Sequence, residues 1–425
     1  MTASNNLPHF PMYIDGAFCE GSSGQTMETV NPANGQPWAT FACADKSDCD
    51  RAIKAARRAL NSSDWADMLP TNRGKLLFKL ADLVAANSAK LGDLETQDCG
   101  KLAAETRMQS GYVADYYRYY AGMADKVQGA TLPIDKPDML VYTRPAPIGV
   151  VVAVVPWNAQ MFLTATKIGP AIAAGCTIVL KASEMAPCSM FEFAKLVHEA
   201  GFPPGVISIV SGDAENCAVP LTSHPDVDRL AFTGSPEVAR HVVRNTAESF
   251  AVTSLELGGK SPIVVFEDAD VESAANALIA GNYGASGQSC VAGTRGIVHK
   301  NLKAKLIERV CEIAATIKIG DPLLAETQMG PLCTNTQIER IKETLAKAKA
   351  QGATICCGGG TPYLEGEFAN GTFFEPTLVD CPNADIETLK VEMFGPVMSL
   401  ISFETEADDS LWQYIFEGAQ PEVVE

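Results

Sequence analysis

Cys290 closes the run Gly284-Ala285-Ser286-Gly287-Gln288-Ser289, a stretch of small residues that can present a thiol in a cleft instead of packing it in a core. A thiol held that way suits nucleophilic attack, although a lone cysteine is by default a small packing residue. A histidine partner is not evident, since His9, His198, His224, His241 and His299 stand in no recognisable catalytic setting. Glu256 offers a carboxylate instead. It ends an apolar stretch just before Gly258-Gly259, where burial would raise its pKa toward that of a general base. A solvated glutamate at a strand end is the ordinary reading of that residue, and local evidence favours it. Phe232-Thr233-Gly234-Ser235 leads from a strand into a helix, and the free N–H groups of such a terminus attract phosphate. A simple helix cap would look the same. Gly258-Gly259-Lys260-Ser261 resembles the end of a nucleoside-triphosphate loop, but Ser254 stands where that motif needs glycine, so an NTPase is excluded. The dinucleotide fingerprint GxGxxG is absent.

These residues need a scaffold, and its pattern is strands alternating with helices. Gly149 to Val155 is a β-branched run ended by Pro156, and Thr177 to Leu180 is a second strand after an Ala-rich helix from Thr164 to Ala174. A helix over Glu192 to Ala200 stops at Gly201-Phe202-Pro203-Pro204-Gly205 and is followed by a strand over Val206 to Val210. Asp228 to Phe232 is another strand, with Ser235 as N-cap and Pro236 as first residue of the next helix. Ser261 to Phe266 as strand and Val271 to Ile279 as helix repeat the logic before the Gly-rich loop Gly281 to Gln288. Short apolar strands between longer helices predict a parallel sheet covered on both faces, an α/β fold.

At 425 residues the chain suits two or three domains, and a domain crossing is expected near Leu257-Gly258-Gly259-Lys260. Its formal charge of -18 argues against a nucleic-acid partner, whose phosphates are held by clustered Lys and Arg. The longest apolar run, Ile148 to Val155, is far short of the roughly 20 residues of a membrane helix. Met1 to Phe10 has neither a basic nor an apolar leader region, so a cytoplasmic location is expected, with no membrane partner. The 13 cysteines lack the spacing of a disulfide framework or a zinc site, so no metal is expected, and Cys356-Cys357 reads as two small buried hydrophobes.

Taken in order, several stretches carry a resemblance. Pro156-Trp157-Asn158, Lys181-Ala182-Ser183-Glu184, Phe232-Thr233-Gly234-Ser235, Leu255-Glu256-Leu257-Gly258-Gly259-Lys260 and Gly287-Gln288-Ser289-Cys290 are followed by Met329-Gly330-Pro331-Leu332, Phe374-Glu375-Pro376-Thr377 and Glu392-Met393-Phe394-Gly395-Pro396. From about Tyr13 to about Glu404 the chain resembles the aldehyde dehydrogenase superfamily. The resemblance implies a Rossmann-like cofactor-binding domain over residues 8–257, with an oligomerisation hairpin near 126–146, and an α/β catalytic domain over 258–410. It makes Cys290 the nucleophile, Asn158 an oxyanion donor, Glu256 the base for hydrolysis, and Lys167 a further residue of the site. Trp157 and Ser235 would approach the pyrophosphate, Lys181 and Glu184 the adenosine ribose, and Glu392 with Phe394 the nicotinamide ribose. Ser183, Gly212, Thr233 and Gly234 complete the implied cofactor site. The Glu184 carboxylate favours NAD over NADP, because it accepts from ribose hydroxyls and repels a 2'-phosphate. Gln160, Met161, Phe162 and Ser289 would line the substrate passage.

Two departures stand out. Where relatives read GxGxxxG, this chain has Gly212-Asp213-Ala214-Glu215-Asn216-Cys217-Ala218, with two alanines for glycines. Residues 411–425 match nothing in the family, so a divergent tail, an incomplete catalytic domain and a weakened homo-oligomer contact are expected. The expected function is oxidation of a small aldehyde to its acid with NAD. The alternative is a catalytically silent relative that acts as a cofactor-binding or interaction protein. A CoA-acylating relative is disfavoured by Glu256, which that branch usually lacks.

Overall fold

The computed structural model describes residues 7–407 together with Trp412, Tyr414 and Ile415, so most of the divergent 411–425 tail lies outside the described residues. The chain divides into two compact units. The first comprises the chain up to Val30, Pro37–Glu95 and Thr106–Glu256, and the second comprises Asn31–Gln36, Thr96–Glu105 and the chain from Leu257 onward.

In the first unit a seven-stranded sheet runs in the order Val252–Leu257, Arg229–Gly234, Val150–Val154, Thr177–Lys181, Ile207–Val210, Met12–Ile14, Ala17–Cys19. The pairings from Arg229–Gly234 through Ile207–Val210 are parallel, and the last two strands join antiparallel. The strand Val150–Val154 is buried along nearly its whole length, as is Thr177–Lys181, because helices cover both faces. Burying one such valine contributes about 1.5–3 kcal/mol, which is why these strands read as unbroken apolar runs. The helix Lys46–Leu60 packs on these central strands and is fixed at its start by Asp45 and Asp48 in a reciprocal capping box. Helices Gln160–Ala174 and Cys188–Ala200 pack on the sheet and on Pro70–Ala86.

The strand order contains a switch. The chain moves from Val150–Val154 outward to Thr177–Lys181 and Ile207–Val210, then returns to place Arg229–Gly234 on the other side of Val150–Val154. At such a point the connections leave in opposite directions and open a crevice at the carboxyl ends of the two strands. Pro156-Trp157-Asn158 and Ser235 follow those ends.

The second unit holds a five-stranded sheet ordered Pro262–Val265, Arg295–His299, Val397–Phe403, Thr377–Asp380, Thr354–Cys357. All neighbours are parallel except the last pair. Adjacent residues sort onto opposite faces as strand geometry requires: Ile297, Val379 and Val397 enter one core, and Val298, Leu378 and Met398 enter the other. Helix Asn335–Ala350 supplies Ile338, Ile341 and Leu345 to the first core, and Val271–Tyr283 with Lys300–Ala314 supply Leu278, Leu306 and Val310 to the second. Tyr414 and Ile415 rest against the first of these cores.

Candidate active site

In the first unit the predicted residues gather at the switch point. Asn158 is buried, two residues before the helix Gln160–Ala174, and Lys167 sits two turns into that helix. The Lys167 ammonium donates to Thr233 Oγ1 at 2.7 Å, tying the helix that follows Val150–Val154 to the carboxyl end of Arg229–Gly234. Ser235 is the N-cap of Pro236–Asn245, as the sequence predicts, and its Oγ accepts from Val238 N at 3.3 Å. The first turn of that ten-residue helix therefore offers N–H groups and the positive end of its dipole to an anion.

Burial pulls the Lys167 pKa down to about 8, and the negative charge of Glu256 opposes the fall. Since the unfolded chain holds this proton up to about pH 10.4, it binds more protons than the native state between pH 8 and 10. Stability linked to Lys167 is lowest below pH 8 and rises above it. Relative to Lys167→Met, the wild-type protein should gain on the order of 2–3 kcal/mol between pH 7.5 and 10, read from urea unfolding of both proteins. A constant difference between the two would show that Lys167 is not buried as described.

Lys181 is buried at the end of its strand and forms a close ion pair with Glu184, which is about one-third exposed. Ser183 Oγ accepts from Met185 N at 3.3 Å and shapes the same turn. Trp157 is half-buried, and Gly212 packs so near Ala44 and Cys217 that a Cβ would come within 3.0 Å of each. The two alanines of the altered loop lie in a π-helical turn, Ala214–Ala218, which Asp213 caps by accepting from Asn216 N at 2.7 Å.

In the second unit Cys290 is exposed, whereas the other twelve cysteines are buried or half-buried. The helix Val271–Tyr283 runs one turn further than expected, and the residues before Cys290 form a tight turn, Gly284–Gly287. Gly287 has φ +73, and a Cβ there would lie 2.2 Å from the Gly395 carbonyl group, so only glycine fits. Glu392 is half-buried and Phe394 takes φ +53, with its carbonyl accepting from Gln337 Nε2 at 2.7 Å. The Glu392 carboxylate lies on the Gly258-Gly259 turn, where Oε1 accepts from Gly259 N at 3.3 Å. A side chain at Gly258 would meet Oε2 at 1.9 Å. Burial pushes the Glu392 carboxyl up, opposed by the Gly259 N–H and by the charges of Lys260 and Arg340.

Glu256 is exposed at the end of Val252–Leu257, the solvated setting that local evidence favours. Other expectations need correction. Gln160 and Met161 are wholly buried, Met161 in the core of the first unit, and do not line a passage; Phe162 is half-buried among Tyr112 and Tyr116. Cys356 and Cys357 are half-buried, not buried. The sequence reading missed Lys260. Its ammonium is buried without a hydrogen-bond partner among the described residues, and burial pulls it down to about 7, with Arg295 adding to the fall. It also missed Glu105 and the bond from Lys167 to Thr233. Four histidines are engaged elsewhere: His9 with Glu20, His198 with Tyr13, His224 with Asp50 and His299 with the Glu404 carbonyl. Among the described residues no helix is long and apolar enough to cross a membrane.

Comparison with known proteins bears on the family of the chain. The model of the aldehyde dehydrogenase family matches residues 18–410. A (Z)-2-((N-methylformamido)methylene)-5-hydroxybutyrolactone dehydrogenase of Acinetobacter baylyi is 47% identical over 95% of this chain and 81% of its own length. An aldehyde dehydrogenase from Bacillus cereus, solved as its NAD+ complex, superposes with a TM-score of 0.92 at 38% identity, over 96% of this chain and 82% of that one. The betaine aldehyde dehydrogenase of Staphylococcus aureus, also solved with NAD+, gives a TM-score of 0.91 at 35% identity, over 93% of this chain and 78% of that one. With its family model spanning nearly the whole sequence and a relative almost half identical to it, the chain belongs to the aldehyde dehydrogenase family.

Proposed function

We propose that the chain oxidises an aldehyde to the carboxylic acid with reduction of NAD, through a covalent intermediate on Cys290. The observation that carries the reading is the exposure of this one thiol, on a glycine-dependent turn, while the other twelve are buried or half-buried. As a thiolate, Cys290 adds to the aldehyde carbonyl carbon and forms a thiohemiacetal. The Asn158 amide and the Cys290 backbone N–H stabilise its oxyanion, donors of a kind worth ~3 kcal/mol each in preorganised sites. NAD, when bound, accepts the hydride whose departure turns the thiohemiacetal into a thioester. Glu256 then takes a proton from water as the water oxygen attacks the acyl carbon, the C–S bond breaks, and the thiolate returns with release of the acid. Glu256 is exposed, and so in contact with the water it would activate.

The groups fit a dinucleotide. The N-terminus of Pro236–Asn245, with Ser235 and the small Gly234, suits the pyrophosphate, approached also by Trp157. Thr233 supports that turn through Lys167. Glu184, oriented by Lys181 and Ser183, suits ribose hydroxyls, and Gly212, packed on Ala44 and Cys217, opens the loop on the adenosine side. Glu392 and Phe394 suit the second ribose. The first unit then serves as the cofactor domain and the second carries the nucleophile. A charged Lys181 softens the repulsion of a 2'-phosphate by Glu184, so NADP remains a weaker second cofactor. The hairpin of Thr131–Leu132 with Val141–Tyr142 exposes Leu132, Ile134, Met139, Leu140 and Tyr142, a surface suited to self-association. Thirteen cysteines without the spacing of a disulfide framework suit the reducing cytoplasm.

The test is formation of NADH from a panel of aliphatic, aromatic and amide-bearing aldehydes, with the acid identified by mass spectrometry. Acid and NADH should appear in equal amounts, with a higher kcat/KM for NAD than for NADP. A soluble, folded protein that binds NAD and oxidises none of them would overturn the reading.

A further inference from the structure

The turn that presents Cys290 is strained. Ala285 and Ser286 are consecutive non-glycine residues at φ 51 and φ 54, a left-handed pair that Cβ–carbonyl crowding disfavours. Such a pair persists only where its surroundings over-determine it. Ser286 Oγ donates to the Gly330 carbonyl at 2.8 Å, and Gln288 Oε1 accepts from Cys333 N at 2.8 Å while its Nε2 reaches the Ala285 carbonyl at 3.3 Å. The remaining support comes from 180 residues earlier: Glu105 Oε1 accepts from Ala285 N at 2.9 Å. The other carboxylate oxygen, Oε2, is shut from solvent with no hydrogen-bond partner among the described residues.

Glu105 belongs to the segment Thr96–Glu105, which is part of the second unit although its sequence neighbours are not. That segment is anchored. Ala103 N donates to the Pro322 carbonyl at 2.8 Å, and Gly330 lies so close to the Gly100 carbonyl that a Cβ would sit 2.2 Å from it. Gly330 is also the residue that Ser286 bonds, so the segment grips the turn at two places. A carboxylate spent on one backbone N–H, in a site that hides its second oxygen, is a costly way merely to fill space.

We propose that Glu105 is a positioning residue for the nucleophile: by holding Ala285 N it fixes the left-handed turn that aims the Cys290 thiol. The inference rests on the reading of Cys290 as the nucleophile. Its test does not depend on turnover, because the rate at which iodoacetamide alkylates Cys290 can be followed on the Cys290 peptide by mass spectrometry.

Glu105→Ala should slow Cys290 alkylation and lower kcat, each by ~10–100-fold, the loss expected when a reacting atom is misplaced by about 1 Å. The aldehyde KM should change by less than about threefold, since no binding group is lost. Glu105→Gln keeps an acceptor oxygen at the same reach and should restore both rates to within about threefold of wild type. Glu105→Asp keeps the charge but is one methylene short, and should resemble the alanine variant; with Glu105→Gln it also decides the matter if Glu105→Ala does not fold. Wild-type alkylation rates in folded Glu105→Ala or Glu105→Asp, or failure of glutamine to restore them, would overturn the proposal. If the wild type oxidises no aldehyde yet alkylation follows this order, the positioning role stands and the catalytic reading fails. If the wild type turns over and alkylation ignores Glu105, only the positioning role fails.

Discussion

Cys290→Ala should abolish aldehyde oxidation, lowering turnover by at least ~10⁴-fold, while the folded protein still binds NAD. The large effect follows from covalency: without sulfur no thiohemiacetal forms, and the oxyanion donors have nothing to stabilise. The other twelve thiols are buried or half-buried, so none is presented as Cys290 is. Burial pushes the pKa of Cys43 and Cys381 up to about 11 and that of Cys311 to about 12, so each holds almost no thiolate at neutral pH. The fold should tolerate the change, because an exposed side chain leaves no cavity, and stability should shift by under about 0.5 kcal/mol. Steady-state NADH formation and NAD titration on one preparation separate the two claims. A variant with more than a few per cent of wild-type turnover would show that the chemistry does not pass through this sulfur.

How far such a site can be read in advance depends on how local its signals are. Val150–Val154 and Thr177–Lys181 are legible because both faces of each strand are covered, which makes them continuous apolar runs bounded by polar or helix-breaking residues. The N-terminal strands Met12–Ile14 and Ala17–Cys19 are too short to show a period. Their one signal is Asp15-Gly16, both at positive φ in the tight turn between them, and an Asp-Gly pair is the strongest short-range mark of a hairpin. The antiparallel edge that these strands add, and the one that Thr354–Cys357 adds to the other sheet, are therefore departures from the expected parallel pattern. The membership of Asn31–Gln36 and Thr96–Glu105 in the second unit has no local signal at all, since it is decided by contacts far along the chain.

The site divides in the same way. Ser235 and Pro236 are legible as a helix start because capping is a matter of neighbouring residues. The bond from Lys167 to Thr233 spans 66 residues and that from Glu105 to Ala285 spans 180, and neither leaves a spacing to detect. Glu256 shows the limit from the other side. The apolar residues before it suggest burial, but Val252, Leu255 and Leu257 are themselves exposed on the sheet's edge strand, so their hydrophobicity does not report the surroundings of the carboxylate.

That exposure makes Glu256→Gln the sharper probe of mechanism. The variant should release about one equivalent of NADH per site in a burst and then slow by ~10²–10⁴-fold, because the amide cannot take the proton from water and the thioester persists. The substitution is isosteric and exposed, so folding and the first half-reaction should survive. Acid quench during the stall should find the acyl group on the Cys290 peptide. A second readout comes from Lys167, whose pKa the Glu256 charge holds up against burial. Without that charge the lysine should lose its proton below the wild-type value of about 8, so the rise of stability with pH begins earlier. Unchanged steady-state turnover would remove Glu256 from the mechanism. Loss of the burst as well as the steady state would place its action before the thioester, in activation of the thiol, and an unchanged pH dependence would separate it from Lys167 altogether.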